Sequence, residues 1–120
     1  MNGKKNWVFC DGDLPPHGDN PEFLGHEALM ITNVSKKDAK IRIKILFEDK
    51  APYDNITLDL NAERTICLRL DKPIGKEGYQ IPYGQYAIHV ISNVPVVACF
   101  GRLDVRQTNM AYYSPAGYGF

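Results

Sequence analysis

The sequence has no apolar run approaching the roughly 18 to 20 residues that span a bilayer, and "MNGKKNWVFCDGD" has no long apolar stretch after its lysines. A soluble chain that is not exported is expected. It also lacks a surplus of either charge, since 14 basic and 14 acidic residues give a formal net charge of zero. No long-range field then gathers nucleic acid or an anionic membrane surface, and only a local patch is left for either. Cysteine is scarce and odd in number. Cys10, Cys67 and Cys99 lie far apart among strand-forming residues, which argues against a disulfide framework and for buried free thiols in a reducing cytoplasm.

Catalytic and cofactor motifs are missing too. Ser35, Ser92 and Ser114 have no GxSxG context, so a nucleophile elbow is unsupported. There is no GxxxxGK(S/T) loop, no CxxC, and no GxGxxG opening a helix. Asp11, Asp13, His17, Asp19, Glu22, His26 and Glu27 crowd into one segment, yet "DGDLPPHGDN" breaks the alternation of a calcium loop after its second Asp. A solvated acidic loop without metal is expected. Glu27 and Asp104 would serve glycoside hydrolysis only if brought within roughly 5 to 10 Å, and no motif fixes that distance. No catalytic residue, metal or cofactor is therefore assigned. Helical periodicity is absent as well, with no i, i+3, i+4 pattern lasting three turns.

Two-residue alternation is what the sequence does have. In "DAKIRIKILFED", Ile41, Ile43, Ile45 and Phe47 share one face while Arg42, Lys44 and Glu48 take the other, as in a half-buried strand. "NITLDL" repeats this with Ile56, Leu58 and Leu60, and "RTICLRL" with Ile66, Leu68 and Leu70. The turn-like "NAER" between them predicts a hairpin. "NWVFCDG", "HEALMITN", "QYAIHVIS" and "PVVACFGRLDV" bring the total to about seven strands. "SNVP" predicts a tight turn between the last two, because Asn favours turns and Pro95 restricts the residue before it. At 120 residues the chain suits an all-β fold, an antiparallel β-sandwich of about seven or eight strands in a single domain. The core is placed at residues 6–107. "DGDLPPHGDNPEFLGHE" and "DKPIGKEGYQIPYG" read as long loops, and the aromatic tail 108–120 as flexible or held by a partner.

The last long run poses the functional question, because Val96, Ala98 and Phe100 share a face with Arg102, Asp104 and Arg106. Residues two apart on one face stand about 7 Å apart. Asp104 can then hold both guanidiniums while they keep donors for a carboxylate, a hydroxyl pair or a carbonyl. The structural alternative is a salt-bridge ladder that locks a strand edge or a subunit contact. A second polar set marks other strand ends: Asp11, His26 with Glu27, Asn33, and Glu48 in "FED". Gathered at one rim near Trp7 and Tyr86, these groups would suit a polyhydroxylated ligand, with hydroxyls at its edges and an apolar face for stacking. His89 receives no role.

"WVFCDGDLP", "HEALMITN", "IRIKILFEDKAP", "YGQYAIHVISNVPVV" and "RLDVRQ", in this order and spacing, resemble the bacterial sensory rhodopsin transducer family from about Trp7 to Gln107. The resemblance implies a β-sandwich of about eight strands, assembled as a cytoplasmic homotetramer. It also implies a small-molecule-binding module similar to carbohydrate-binding sandwiches, and in one branch the soluble partner of a light-sensing membrane rhodopsin. By motif, ligand or assembly roles pass to Trp7, Asp11, His26, Glu27, Asn33, Glu48, Arg102, Asp104, Arg106 and Gln107. Two functions stay open. One is a non-enzymatic signalling module that binds a sugar or polyol in a homo-oligomer; the other is an interaction protein that docks on a membrane photoreceptor or regulator without a metabolite.

Overall fold

In the computed structural model, which describes residues 3–106 and 111–120, the alternating segments become eight strands with no helix among the described residues. These are β1 (Lys4–Leu14), β2 (His26–Asn33), β3 (Ala39–Leu46), β4 (Tyr53–Leu60), β5 (Arg64–Arg69), β6 (Gly84–Asp104), β7 (Ala111–Tyr113) and β8 (Tyr118–Gly119). Every pairing is antiparallel. One layer runs β4-β3-β6-β1-β8; in the other, β2 lies between β5 and the second half of β6, whose far end pairs β7. The inward residues of both layers meet in one cluster, including Phe9, Leu29, Ile31, Ile43, Ile56, Ile88, Val90 and Phe100. Phe9 stacks on Phe100 at 5.8 Å between ring centroids and so bridges β1 to the later part of β6.

The tight turn expected at "SNVP" is not formed, since β6 runs unbroken for 21 residues through it. Its first half pairs β1 and β3, and its second half pairs β2. Lys4 stands opposite Val96 and Asn6 opposite Ile91, so a short step on β1 spans a longer one on β6 and the surplus residues bulge. A bulge tolerates the missing N–H of Pro95 and bends the strand from one layer into the other. Neighbouring groups hold this corner: the Trp7 indole donates to the Val96 carbonyl at 2.9 Å, and the Lys40 N–H donates to Asn93 Oδ1 at 2.7 Å.

The "NAER" hairpin is also overturned. β4 pairs with β3 and β5 with β2, so the turn carries the chain across the core rather than along one sheet. Glu63 takes the left-handed conformation there, with φ 55°. Amphipathic strands satisfy their alternation equally well side by side or face to face, and the pattern alone does not separate the two.

The cysteines differ from expectation as well, because all three are exposed. Cys67 and Cys99 flank Met30 in a row across the outer face of the second layer, one position out of phase with the core residues Ala98 and Phe100. The tail adds two short strands to its own chain, β7 on β6 and β8 on β1. Asn6 and Phe120 exchange backbone hydrogen bonds of 3.0 and 2.9 Å. β1 extends to Leu14 and takes in the beginning of the expected first loop.

Candidate functional site

Glu27, the second residue of β2, stands directly opposite Arg102 of β6. Both side chains fall on the inward face, where Glu27 is 0 % and Arg102 5 % exposed. Arg102 Nε donates to Glu27 Oε2 at 2.9 Å, the Asp13 N–H donates to the same oxygen at 2.8 Å, and the Tyr86 hydroxyl donates to Oε1 at 2.6 Å. The carboxylate is thus closed in by donors from three residues on two strands, Asp13 of β1 and Tyr86 and Arg102 from the two ends of β6. Burial, and then the charge of Glu27, push the Tyr86 phenol well above its usual range, which keeps it a donor.

A bulge in β1 makes this arrangement accessible. Phe9 pairs Ile88 and Gly12 pairs Tyr86, so β1 takes one residue more than β6 over that interval. The shift lets the Asp11 carbonyl accept from Arg102 Nη2 at 2.7 Å while the Asp13 N–H turns toward Glu27. Gly12 is required for close approach, since a Cβ there would stand 2.6 Å from Tyr86 Cζ.

The charged rim continues outward. Asp104 accepts from Arg106 Nη2 at 2.6 Å and from its backbone N–H at 2.9 Å, and Arg106 also reaches Asp13 Oδ2 at 3.4 Å. Hydrogen bonding from Arg106 holds the Asp104 carboxyl below the usual range, against a partial opposing effect of burial. The pairing differs from the sequence expectation in one respect: Glu27 is the buried partner of Arg102, and Asp104 grips Arg106. The inner part is rigid and saturated. The outer part places carboxylates and a guanidinium side by side, with side-chain exposure of 52 % for Asp11 and 44 % for Arg106. Such mixed acceptors and donors suit hydroxyl groups.

The other expected residues are dispersed. His26 neighbours Glu27 but points to the opposite face, as alternation demands, and its Nδ1 lies 2.7 Å from the Leu24 carbonyl. Glu48 is exposed and lines a neighbouring opening of about 220 Å³ with Phe47, Gln85 and Tyr86. Asn33 sits at the far end of β2, where its amide donates to the Lys37 and Leu60 carbonyls and accepts from Ser35. It ties turns together there. Trp7 lies four positions before Asp11 on β1, about 13 Å away at strand rise, with its N–H committed to Val96. Gln107 lies outside the described residues. Among the described residues no three His, Cys, Asp or Glu side chains gather as metal ligands; His17 of the acidic loop instead bonds Asp71 at 3.0 Å.

Sequence reasoning missed the parts played by Asp13 and Gly12 and gave Tyr86 a stacking role. A glycine between two aspartates inside a strand-forming run was the available signal, because glycine within a strand marks a bulge or a close approach.

Residues 2–119 match the family described as Anabaena sensory rhodopsin transducer. Among solved structures, the crystal structure of Thermotoga maritima 1070 is similar with a TM-score of 0.85 and 38 % identity, over 100 % of this chain and 97 % of that one. The Anabaena sensory rhodopsin transducer is similar with a TM-score of 0.73 and 34 % identity, over 87 % of this chain and 91 % of that one. No curated protein matches.

Proposed function

The chain belongs to the Anabaena sensory rhodopsin transducer family, and from that premise we propose that it is a non-enzymatic cytoplasmic signalling module whose Glu27–Arg102 end binds a sugar or polyol. Occupancy is relayed through a homo-oligomer, a tetramer, to a membrane rhodopsin or a regulatory protein. The supporting observation is the buried ion pair. Burying two charges costs desolvation that their attraction offsets only with excellent geometry, so such a pair is weak as a stabilising device. Here it fixes the position of a mixed carboxylate and guanidinium rim. Rigid first contacts of this kind serve recognition, because little side-chain freedom is lost when a ligand arrives.

A thermal-shift screen against sugars, sugar acids and polyols tests this reading, run on the natural chain and on Arg106→Ala and Asp11→Asn. Both substituted groups are exposed, so the fold is retained. A ligand selective for the folded state should add about 1 to 3 kcal/mol at high concentration, and the gain should fall in both variants. Silence across the panel, or hits indifferent to both substitutions, rejects the sugar site. A second reading, a docking module without a metabolite, rests on the aromatic tail: Tyr112, Tyr118 and Phe120 are 61 %, 70 % and 53 % exposed. That surface suits a protein partner.

A further inference from the structure

At the end of the sandwich opposite Glu27 and Arg102, the corner of β6 borders an open cavity of about 410 Å³. That volume falls within the roughly 300 to 1,000 Å³ of small-molecule sites. Val34, Val94 and Pro95 form its apolar part, and Val34 is 45 % exposed although it is a large aliphatic residue. Lys5 and Lys37 stand at its border, and among the described residues no carboxylate lines it. Among the described residues neither lysine has an ion-pair partner.

The frame around the cavity is fixed. Ser35 Oγ donates to Asn33 Oδ1 at 2.8 Å and accepts from the Lys37 N–H at 3.2 Å, while Trp7 clamps Val96 behind the corner. Asn93 uses its oxygen to accept from Lys40, which leaves its amide NH₂ as a donor. Lys4 and Lys36 adjoin the cavity lysines in sequence and add to the local positive potential.

We propose that this corner is a binding site for a small organic anion, a carboxylate or phosphate ester with an apolar body. The headgroup takes the two ammonium groups and the Asn93 amide, and the body covers Val34, Val94 and Pro95. Charge-assisted bonds supply the specificity and the covered aliphatic surface adds affinity. The site is separate from the Glu27–Arg102 rim and does not depend on a sugar binding there.

The test is an NMR titration of the full chain with phenyl phosphate, with benzoate as a second anion and phenol as the neutral control, reading the amides of Val34, Asn93 and Val94. Saturable shifts are expected with both anions, weakened by about tenfold or more in Lys5→Gln/Lys37→Gln, and absent with phenol. Both lysines are exposed, and an unchanged melting temperature verifies the fold of the variant. Equal affinity in the double variant, equal binding of phenol, or shifts confined to other residues would each overturn the assignment. A response to phenyl phosphate alone narrows the class to phosphate esters.

Discussion

Glu27 shows what a single residue contributes here. Replacing it by Ala leaves the Arg102 guanidinium buried at 5 % exposure without its carboxylate, a change that typically costs about 3 to 5 kcal/mol; urea denaturation of Glu27→Ala against the natural chain measures it. Tyr86→Phe removes one donor from the same carboxylate and should cost about 1 to 3 kcal/mol at neutral pH. The pH dependence of that loss has a definite sign. The folded-state pKa of Tyr86 is raised, by burial first and by Glu27 second, so its contribution is complete below the unfolded value of about 10 and is lost as pH rises beyond it. Melts between pH 8 and 11, as the chosen range, should show the natural chain and Tyr86→Phe converging at the alkaline end; parallel curves would contradict the assigned bond. At this scale the sequence revealed a face but not a partner. Alternation placed Arg102 with Val96, Ala98 and Phe100, all buried. Its carboxylate partner lies 75 positions away, and no local pattern reaches that far. The cysteines were legible in principle: Cys99 lies between Ala98 and Phe100 and must face outward if they face inward. Apolar character argues for burial of a thiol, and strand phase decides against it here. All three thiols should therefore react with Ellman's reagent in the native protein, and a native count below that would mean that another surface covers them.

At the scale of elements, β6 organises the fold because among the described residues it is the one strand shared by both layers. Its corner depends on the Trp7 indole at Val96 and on close packing by Gly3, where a Cβ would stand 2.6 Å from the Val96 carbonyl oxygen. Trp7→Phe keeps an aromatic ring but deletes the donor. A loss of about 1 to 3 kcal/mol is expected from the unsatisfied carbonyl, visible as a lower urea midpoint with an unchanged slope. No loss would show that water or another group holds the corner. The same element explains why the predicted turn failed. Asn and Pro disfavour a regular ladder, and a bulge within one strand answers that preference as well as a reversal does. The strands themselves were legible, since Ile41, Ile43 and Ile45, and Ile56, Leu58 and Leu60, are buried as their spacing required. Their connections were not, because an arch across the core and a hairpin within a sheet share one binary pattern.

Across the whole molecule, the zero net charge conceals a separation of charge. Lys4, Lys5, Lys36 and Lys37, against Asp38, gather where β1 begins and β2 ends, whereas Asp11, Asp13, Asp19, Glu22, Glu48 and Asp49, against Lys50, gather where β1 ends and β2 begins. The arginines of the acidic end do not cancel this, because Arg69, Arg102 and Arg106 are engaged with Asp71, Glu27 and Asp104. Near its pI of about 6.8 the chain has little net repulsion between copies, so attraction between unlike ends becomes the leading long-range term. The Debye length is about 30 Å at 0.01 M salt and about 8 Å at 0.15 M, so that attraction operates in the first condition and is screened in the second. The second virial coefficient from light scattering at neutral pH should accordingly be lower at 0.01 M than at 0.15 M salt, the two conditions set by those screening lengths. Lys4→Glu/Lys36→Glu, which leaves both cavity lysines in place, should reduce the difference. A coefficient indifferent to salt would mean that the unlike ends do not attract between copies, and would overturn this reading.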